Sequence, residues 1–109
     1  MYFHEEEKRT FAVLNDYEEE HPDTHYLMEF AEGDVYECAY LTDAEDDNDE
    51  DLDSPDYDEF WTAYCTVLRV IEPGPNNPSR CHVLNLNYRH FPVRITTVDG
   101  ALVYPAERE

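Results

Sequence analysis

Residues 60–71 read Phe60-Trp61-Thr62-Ala63-Tyr64-Cys65-Thr66-Val67-Leu68-Arg69-Val70-Ile71, the longest apolar stretch of the chain. Aromatic and β-branched side chains dominate it, which favours a strand over a helix. Successive side chains of a strand point to opposite faces. Trp61, Ala63, Cys65 and Val67 therefore share one face, but Arg69 falls on that face too, while Leu68 and Val70 point the other way. A bulge near Val67 would shift the parity and keep Arg69 in water. A strand buried on both faces is the alternative.

Strand signals continue on both sides of this stretch. Upstream, His25-Tyr26-Leu27-Met28-Glu29-Phe30 and Val35-Tyr36-Glu37-Cys38-Ala39-Tyr40-Leu41 flank the turn signal Glu32-Gly33-Asp34, as in a hairpin. Downstream, Pro73-Gly74-Pro75-Asn76-Asn77-Pro78-Ser79 reads as a loop. Leu84, Leu86 and Tyr88 then alternate with Asn85, Asn87 and Arg89, and Phe91, Val93 and Ile95 with Pro92, Arg94 and Thr96. Asp99-Gly100, between Val98 and Ala101, is the strongest hairpin signal of the chain. Strands are expected near 25–30, 35–41, 60–71, 82–89, 91–98 and 101–104. Residues 1–20 are read as a short helix or irregular arm, although Thr10–Leu14 also fits a short strand. His21-Pro22-Asp23 ends that segment, because a residue before proline avoids the helical region.

No repeat and no strand–helix alternation is present, which argues against a parallel doubly wound sheet. The expected fold is mainly β: a single small domain over 1–109, built as an antiparallel curled sheet or small barrel of SH3-like size, with a short N-terminal helix. An α+β sheet with that helix across one face is the second choice.

Charge is the dominant compositional feature. The 109 residues carry 27 Asp and Glu against 7 Lys and Arg, a formal net charge of −20. Residues 1–66 hold 23 acids and two bases, whereas residues 67–109 hold four acids and five arginines. Such a field repels nucleic acid, acidic substrates and anionic membranes, and attracts basic surfaces and divalent cations. The acids peak at 43–59, with 11 in 17 positions and no base. With only Leu52 and Tyr57 as large apolar groups in it, the stretch 43–58 is expected to form a flexible acidic loop. Its replacement by a short Gly/Ser linker is then expected to leave stability equal or higher.

The candidate chemical sites are weak. A calcium loop would begin at Asp47, with Asp49, Asp51 and Asp53 at the right offsets, but position six is Leu52 instead of glycine and position twelve is Asp58 instead of glutamate. Glu18, His21 and His25 have helical spacing for zinc, but Pro22 interrupts the helix and a fourth ligand is missing, Cys81-His82 being a lone adjacent pair. No metal and no cofactor is expected. Cys38, Cys65 and Cys81 are odd in number and form no CxxC, which fits reduced thiols. The negative field opposes a thiolate, so catalytic cysteine is not expected. With only Gly33, Gly74 and Gly100, the chain has no phosphate-cradling loop. Arg69, Arg80, Arg89 and Arg94 are read as part of an ordinary polar outer face, with pairing to the acidic segment as an alternative.

The expected function is therefore non-enzymatic: an acidic binding or inhibitory module that engages a basic protein, in the manner of an immunity protein or a DNA mimic. The expected contact residues are Asp43, Glu45, Asp46, Asp47, Asp49, Glu50, Asp51, Asp53, Asp56, Asp58 and Glu59, with Tyr36, Tyr40, Tyr57 and Trp61 as aromatic anchors. The alternatives are a small metal-dependent enzyme or cation-binding domain using clustered carboxylates, and a domain whose charge serves solubility only. Direct nucleic-acid binding and membrane insertion are not expected, since no apolar run approaches the roughly 20 residues needed to span a bilayer. An acidic start, Met1-Tyr2-Phe3-His4-Glu5-Glu6-Glu7, is unlike an export signal. The expected location is cytoplasmic, including delivery into a host cytoplasm.

Overall fold

The computed structural model describes residues 2–75 and 83–105. A 3-10 turn over Glu5–Lys8 leads into helix α1 (Phe11–Glu20), which ends where His21-Pro22 begins. Six strands follow: β1 (His25–Glu29), β2 (Val35–Asp47), β3 (Glu59–Glu72), β4 (Val83–Leu86), β5 (Arg94–Thr97) and β6 (Leu102–Tyr104). They form one antiparallel sheet in the order β4-β3-β2-β1-β5-β6. The fold is mainly β, as read from the alternation and turn signals.

One face of the sheet builds the core. Tyr26, Met28, Tyr36, Cys38, Ala63, Cys65, Val67, Leu84, Leu86, Ile95 and Val103 are buried on it together with Phe11 and Leu14 of α1. The helix lies against β3 and β6, strands four places apart in the sheet order, so the sheet curls around it. The opposite face carries Glu37 beside Arg69, at 3.1 Å, with the His25 ring 3.5 Å from the other Glu37 oxygen. Glu29 and Arg94 face each other across β1 and β5 on the same side. Opposite charges in such cross-strand positions are mildly favourable.

The parity conflict in residues 60–71 is resolved by a bulge. Val67 pairs with Cys38 and Arg69 with Glu37, so Leu68 is the extra residue and Arg69 turns outward. Two further irregularities skip Leu41, which is 59% exposed, and Ile71. Gly33 and Gly100 both have positive φ, at the two turns read as Glu32-Gly33-Asp34 and Asp99-Gly100. Gly74 is required for a different reason. A Cβ there would lie 2.7 Å from the Cβ of Asp34, a fully buried residue that also accepts the Tyr36 hydroxyl at 2.7 Å.

Several expected boundaries change. Thr10–Leu14 is not a strand: Phe11–Leu14 open α1. The strand expected over 82–89 ends at Leu86, because Asn87 and His90 exchange backbone hydrogen bonds of 3.0 Å and turn the chain. The strand expected over 91–98 spans only Arg94–Thr97. Residues Arg80, Cys81 and His82, and most of the loop 73–79, lie outside the described residues.

The largest correction concerns the acidic segment. Residues 43–47 are not loop: β2 runs on to Asp47, pairing Asp43 with Ala63 and Asp47 with Glu59. Acid-rich composition argued against a strand, but the partner strand supplies what these residues lack. Carboxylates two residues apart on one face lie roughly 7 Å apart. Their repulsion in water is about 0.6 kcal/mol before salt screening. Burial of one large apolar side chain contributes about 1.5–3 kcal/mol, and Phe60 and Ala63 opposite are buried, with Trp61 half-buried. The packing term wins. Because β1 pairs with β2 only up to Ala39, and β4 with β3 only over Ala63–Thr66, the outer part of the β2–β3 hairpin is a two-stranded arm.

Candidate acidic interface

Of the eleven acids in residues 43–59, Asp43, Glu45, Asp46, Asp47 and Glu59 stand on paired strands of the arm, and the other six on its connecting loop. That loop is organised by Asn48. Its side chain donates to the Asp56 carbonyl at 2.7 Å and accepts from the backbone of Glu50 and Asp58. Ser54 N–H donates to the Asp51 carbonyl and Tyr57 N–H to the Ser54 carbonyl, which adds two turns. Asp49 takes a positive φ of 66°, a conformation Asp tolerates better than most residues.

Asp58 fastens the loop to the body of the domain. It is 8% exposed and accepts from His4 Nε2 at 2.6 Å on one oxygen. Its other oxygen receives the Tyr88 hydroxyl at 2.5 Å and the Arg89 guanidinium at 3.0 Å. The His4 and Tyr88 rings stack at 4.1 Å, and His4 also contacts the Glu59 carbonyl at 3.0 Å. Burial opposes the charge of Asp58. The Tyr88 and His4 hydrogen bonds, with the charges of His4 and Arg89, outweigh it and hold the carboxyl below its ordinary range. Among the described residues, Asp58 is the one acid of the eleven in an ion pair.

The expected aromatic anchors divide. Tyr36 is fully buried among core residues and has no surface to offer a partner, because its register opposite Met28 turns it inward. Tyr40 is half-buried and gives its hydroxyl to Asp43 at 2.7 Å. Tyr57 stays on the loop and donates to Glu59 at 2.7 Å, which, with burial and the Glu59 and Asp47 charges, pushes its hydroxyl up to about 12. Trp61 is half-buried and stacked on Phe11 at 5.5 Å. On the outer face of the arm, Tyr64 donates to Asp46 at 3.0 Å.

Sequence reading missed the N-terminal side of this region. Glu7 is fully buried, and its carboxylate accepts three backbone N–H groups: Phe3 at 2.8 Å, His4 at 3.2 Å and Trp61 at 2.6 Å. It clasps the first turn of the chain to the arm. The only available signal was His4 and Glu7 at the spacing of a helix-start motif, hidden in the run Glu5-Glu6-Glu7.

The other chemistries considered find little geometry. Among the described residues, no group of three or more His, Cys, Asp or Glu side chains is placed to hold a metal ion. His25 faces Glu37, while Glu18 accepts the Tyr26 hydroxyl at 2.6 Å and the Asp23 N–H at 3.2 Å, so the expected zinc trio does not converge. Cys38 and Cys65 are buried free thiols, and burial, then the Glu37 charge, pushes Cys38 up to about 12. No helix among the described residues is long and apolar enough to cross a membrane. The sequence matches no protein-family model, and neither a curated protein nor a solved structure is significantly similar to it.

The corrected arm revises the linker experiment. Replacing residues 49–56 by a short Gly/Ser turn is expected to leave the unfolding free energy equal or higher, since it removes five exposed acids and keeps Asn48 and Asp58. Replacing 43–58 also removes Asp43 and Asp58 and is expected to lower it. Urea unfolding of both variants checks this. Equal stability of the two would show that the strand and its anchor contribute nothing.

Proposed function

We propose that this chain is a non-enzymatic acidic module that binds and neutralises a basic protein surface, as an immunity protein or DNA mimic does. One observation carries the reading. Eleven acids are gathered on an ordered arm, and within the described residues ten of them have no cationic partner. Charge serving solubility alone would be spread evenly, whereas the outer sheet face is mixed in sign, with Glu37 and Glu29 set against Arg69 and Arg94. Carboxylates held on paired strands also present a fixed pattern, which a phosphate mimic requires and a free coil lacks. The repulsion of so many like charges costs stability, and a cationic partner would offset that cost.

The test is capture of a partner from a lysate at low salt, followed by binding kinetics across an ionic-strength series. Association is expected to slow by tenfold or more, on the order of the steering effects of charged surfaces, as salt rises or when Asp46, Asp49, Asp51 and Asp53 are changed to Lys. The same change at Glu5, Glu6, Glu72 and Asp99 is expected to act far less. Binding that ignores salt, or ignores which acids are reversed, rejects the reading.

A further inference from the structure

Where α1 meets the arm, Tyr2, Phe11, Asn15, Glu19, Asp43 and Trp61 line a surface hollow of about 260 Å³. This is below the roughly 300–1,000 Å³ of small-molecule sites, and suits a single side chain. We propose that the hollow receives one arginine side chain of the basic partner, an inference that rests on the function proposed above.

Three features fit a guanidinium. The floor is aromatic: Trp61 lies nearly parallel to Phe11, at 19°, and Tyr2 meets the same Phe11 edge-on at 6.4 Å. A planar cation stacks on such rings, and indole is the strongest acceptor among them. The rim is acidic and comes from two elements, Glu19 on α1 and Asp43 on β2. Neither pairs with a lysine or arginine among the described residues. Finally, the Asp43 carboxylate is oriented in advance. One oxygen accepts both the Tyr40 hydroxyl at 2.7 Å and the Asn15 amide at 3.2 Å. Among the described residues its second oxygen takes no hydrogen bond, so an incoming N–H fork finds an acceptor already aimed. The local field agrees: burial, then the charges of Asp16, Glu19 and Glu7, raises the titration of the Tyr2 hydroxyl.

Trp61 is the single tryptophan of the chain and reports on the hollow directly. The probes are three short peptides of identical spacing, Arg/Gly, Lys/Gly and citrulline/Gly, titrated into the whole protein at low ionic strength. Trp61 emission and calorimetry are followed together. The arginine peptide is expected to give a saturable Trp61 change, the lysine peptide one about three- to tenfold weaker, and the neutral citrulline peptide none. Glu19→Gln, at an exposed position, is expected to weaken the arginine response about three- to tenfold. Asp43→Asn, which keeps an acceptor for Tyr40, is expected to do the same. The double variant Asp51→Asn, Asp53→Asn removes more charge, yet is expected to weaken the Trp61-reported affinity less than either single variant does, because neither side chain lines the hollow. Calorimetric binding without a Trp61 response, or a response indifferent to Glu19→Gln and Asp43→Asn, overturns the hollow and leaves the acidic arm standing. An equal response to lysine overturns the arginine assignment. If neither cationic peptide binds by calorimetry, both readings fall.

Discussion

Glu7→Ala is expected to lower the unfolding free energy by about 2–4 kcal/mol. The three N–H groups that Glu7 accepts come from both sides of a junction, Phe3 and His4 on the first turn and Trp61 on β3. Hydrogen bonds to a charged acceptor contribute about 1.5–3 kcal/mol each when buried. The sum is reduced because the N-terminal turn can fray and let water reach its amides, and because one negative charge is removed from a chain at −20. Glu6→Ala controls for the charge, since Glu6 is exposed beside it. That variant is expected to stay within about 0.5 kcal/mol of the parent. Glu7→Gln keeps one acceptor oxygen but turns an amide donor toward another donor, so an intermediate loss is expected. Urea unfolding followed by Trp61 emission measures all three. Equal stability of the Glu6 and Glu7 variants would show that the clasp carries no energy.

The second large effect is expected at Asp58, where the arm loop is tied to His4, Tyr88 and Arg89. Asp58→Ala leaves the Tyr88 hydroxyl without its acceptor and His4 with the Glu59 carbonyl alone, and is expected to cost about 2–3 kcal/mol. Asp58→Asn keeps the shape and removes the charge, which exposes the pH dependence. A carboxyl whose folded titration lies below its unfolded value near 3.9 stabilises the fold fully above that value. The contribution is lost as pH falls through the lower, folded value, because the folded state must then accept a proton it resists. The stability gap between parent and Asp58→Asn is therefore expected to narrow below about pH 4. Other carboxylates titrate in the same range, but they do so in both proteins and cancel in the difference. A gap that stays constant down to pH 3 would remove Asp58 from the account.

What was legible in the sequence follows from which interactions are local. The Asp99-Gly100 and Glu32-Gly33-Asp34 turns could be read because each glycine's positive φ is a property of a few neighbouring residues. The bulge at Leu68 could be read because Arg69 breaks an otherwise apolar face and cannot be buried unpaired. The bulge at Leu41 could not, since leucine fits either face of a strand and only the pairing of Tyr40 with Cys65 and Thr42 with Tyr64 reveals it. The strand nature of 43–47 was hidden because its support lies in residues 59–63, across the hairpin. Tyr36 was misplaced for a related reason. Alternation assigns it to a face, but which face is buried depends on β1 and β3. Glu7 was invisible because Glu5 and Glu6 are the same residue type and exposed, and burial of the third depends on a strand 54 positions away. The hollow required α1 and the arm to meet, which no local pattern encodes.

The two-stranded arm has a consequence beyond partner binding. Among the described residues no further strand pairs with β2 past Ala39 or with β3 below Ala63; on β3 Glu7 takes the Trp61 N–H and His4 the Glu59 carbonyl, which leaves the β2 rim of the ribbon open to pairing. Open rims of this kind invite another copy of the same chain to add on and propagate a stack. Here any such addition would bring one acid-dense ribbon against another. The carboxylates thus act as gatekeepers against self-polymerisation, and their protection is tied to ionisation. It is expected to be strongest near neutrality and to weaken toward the isoelectric point, near 4.2.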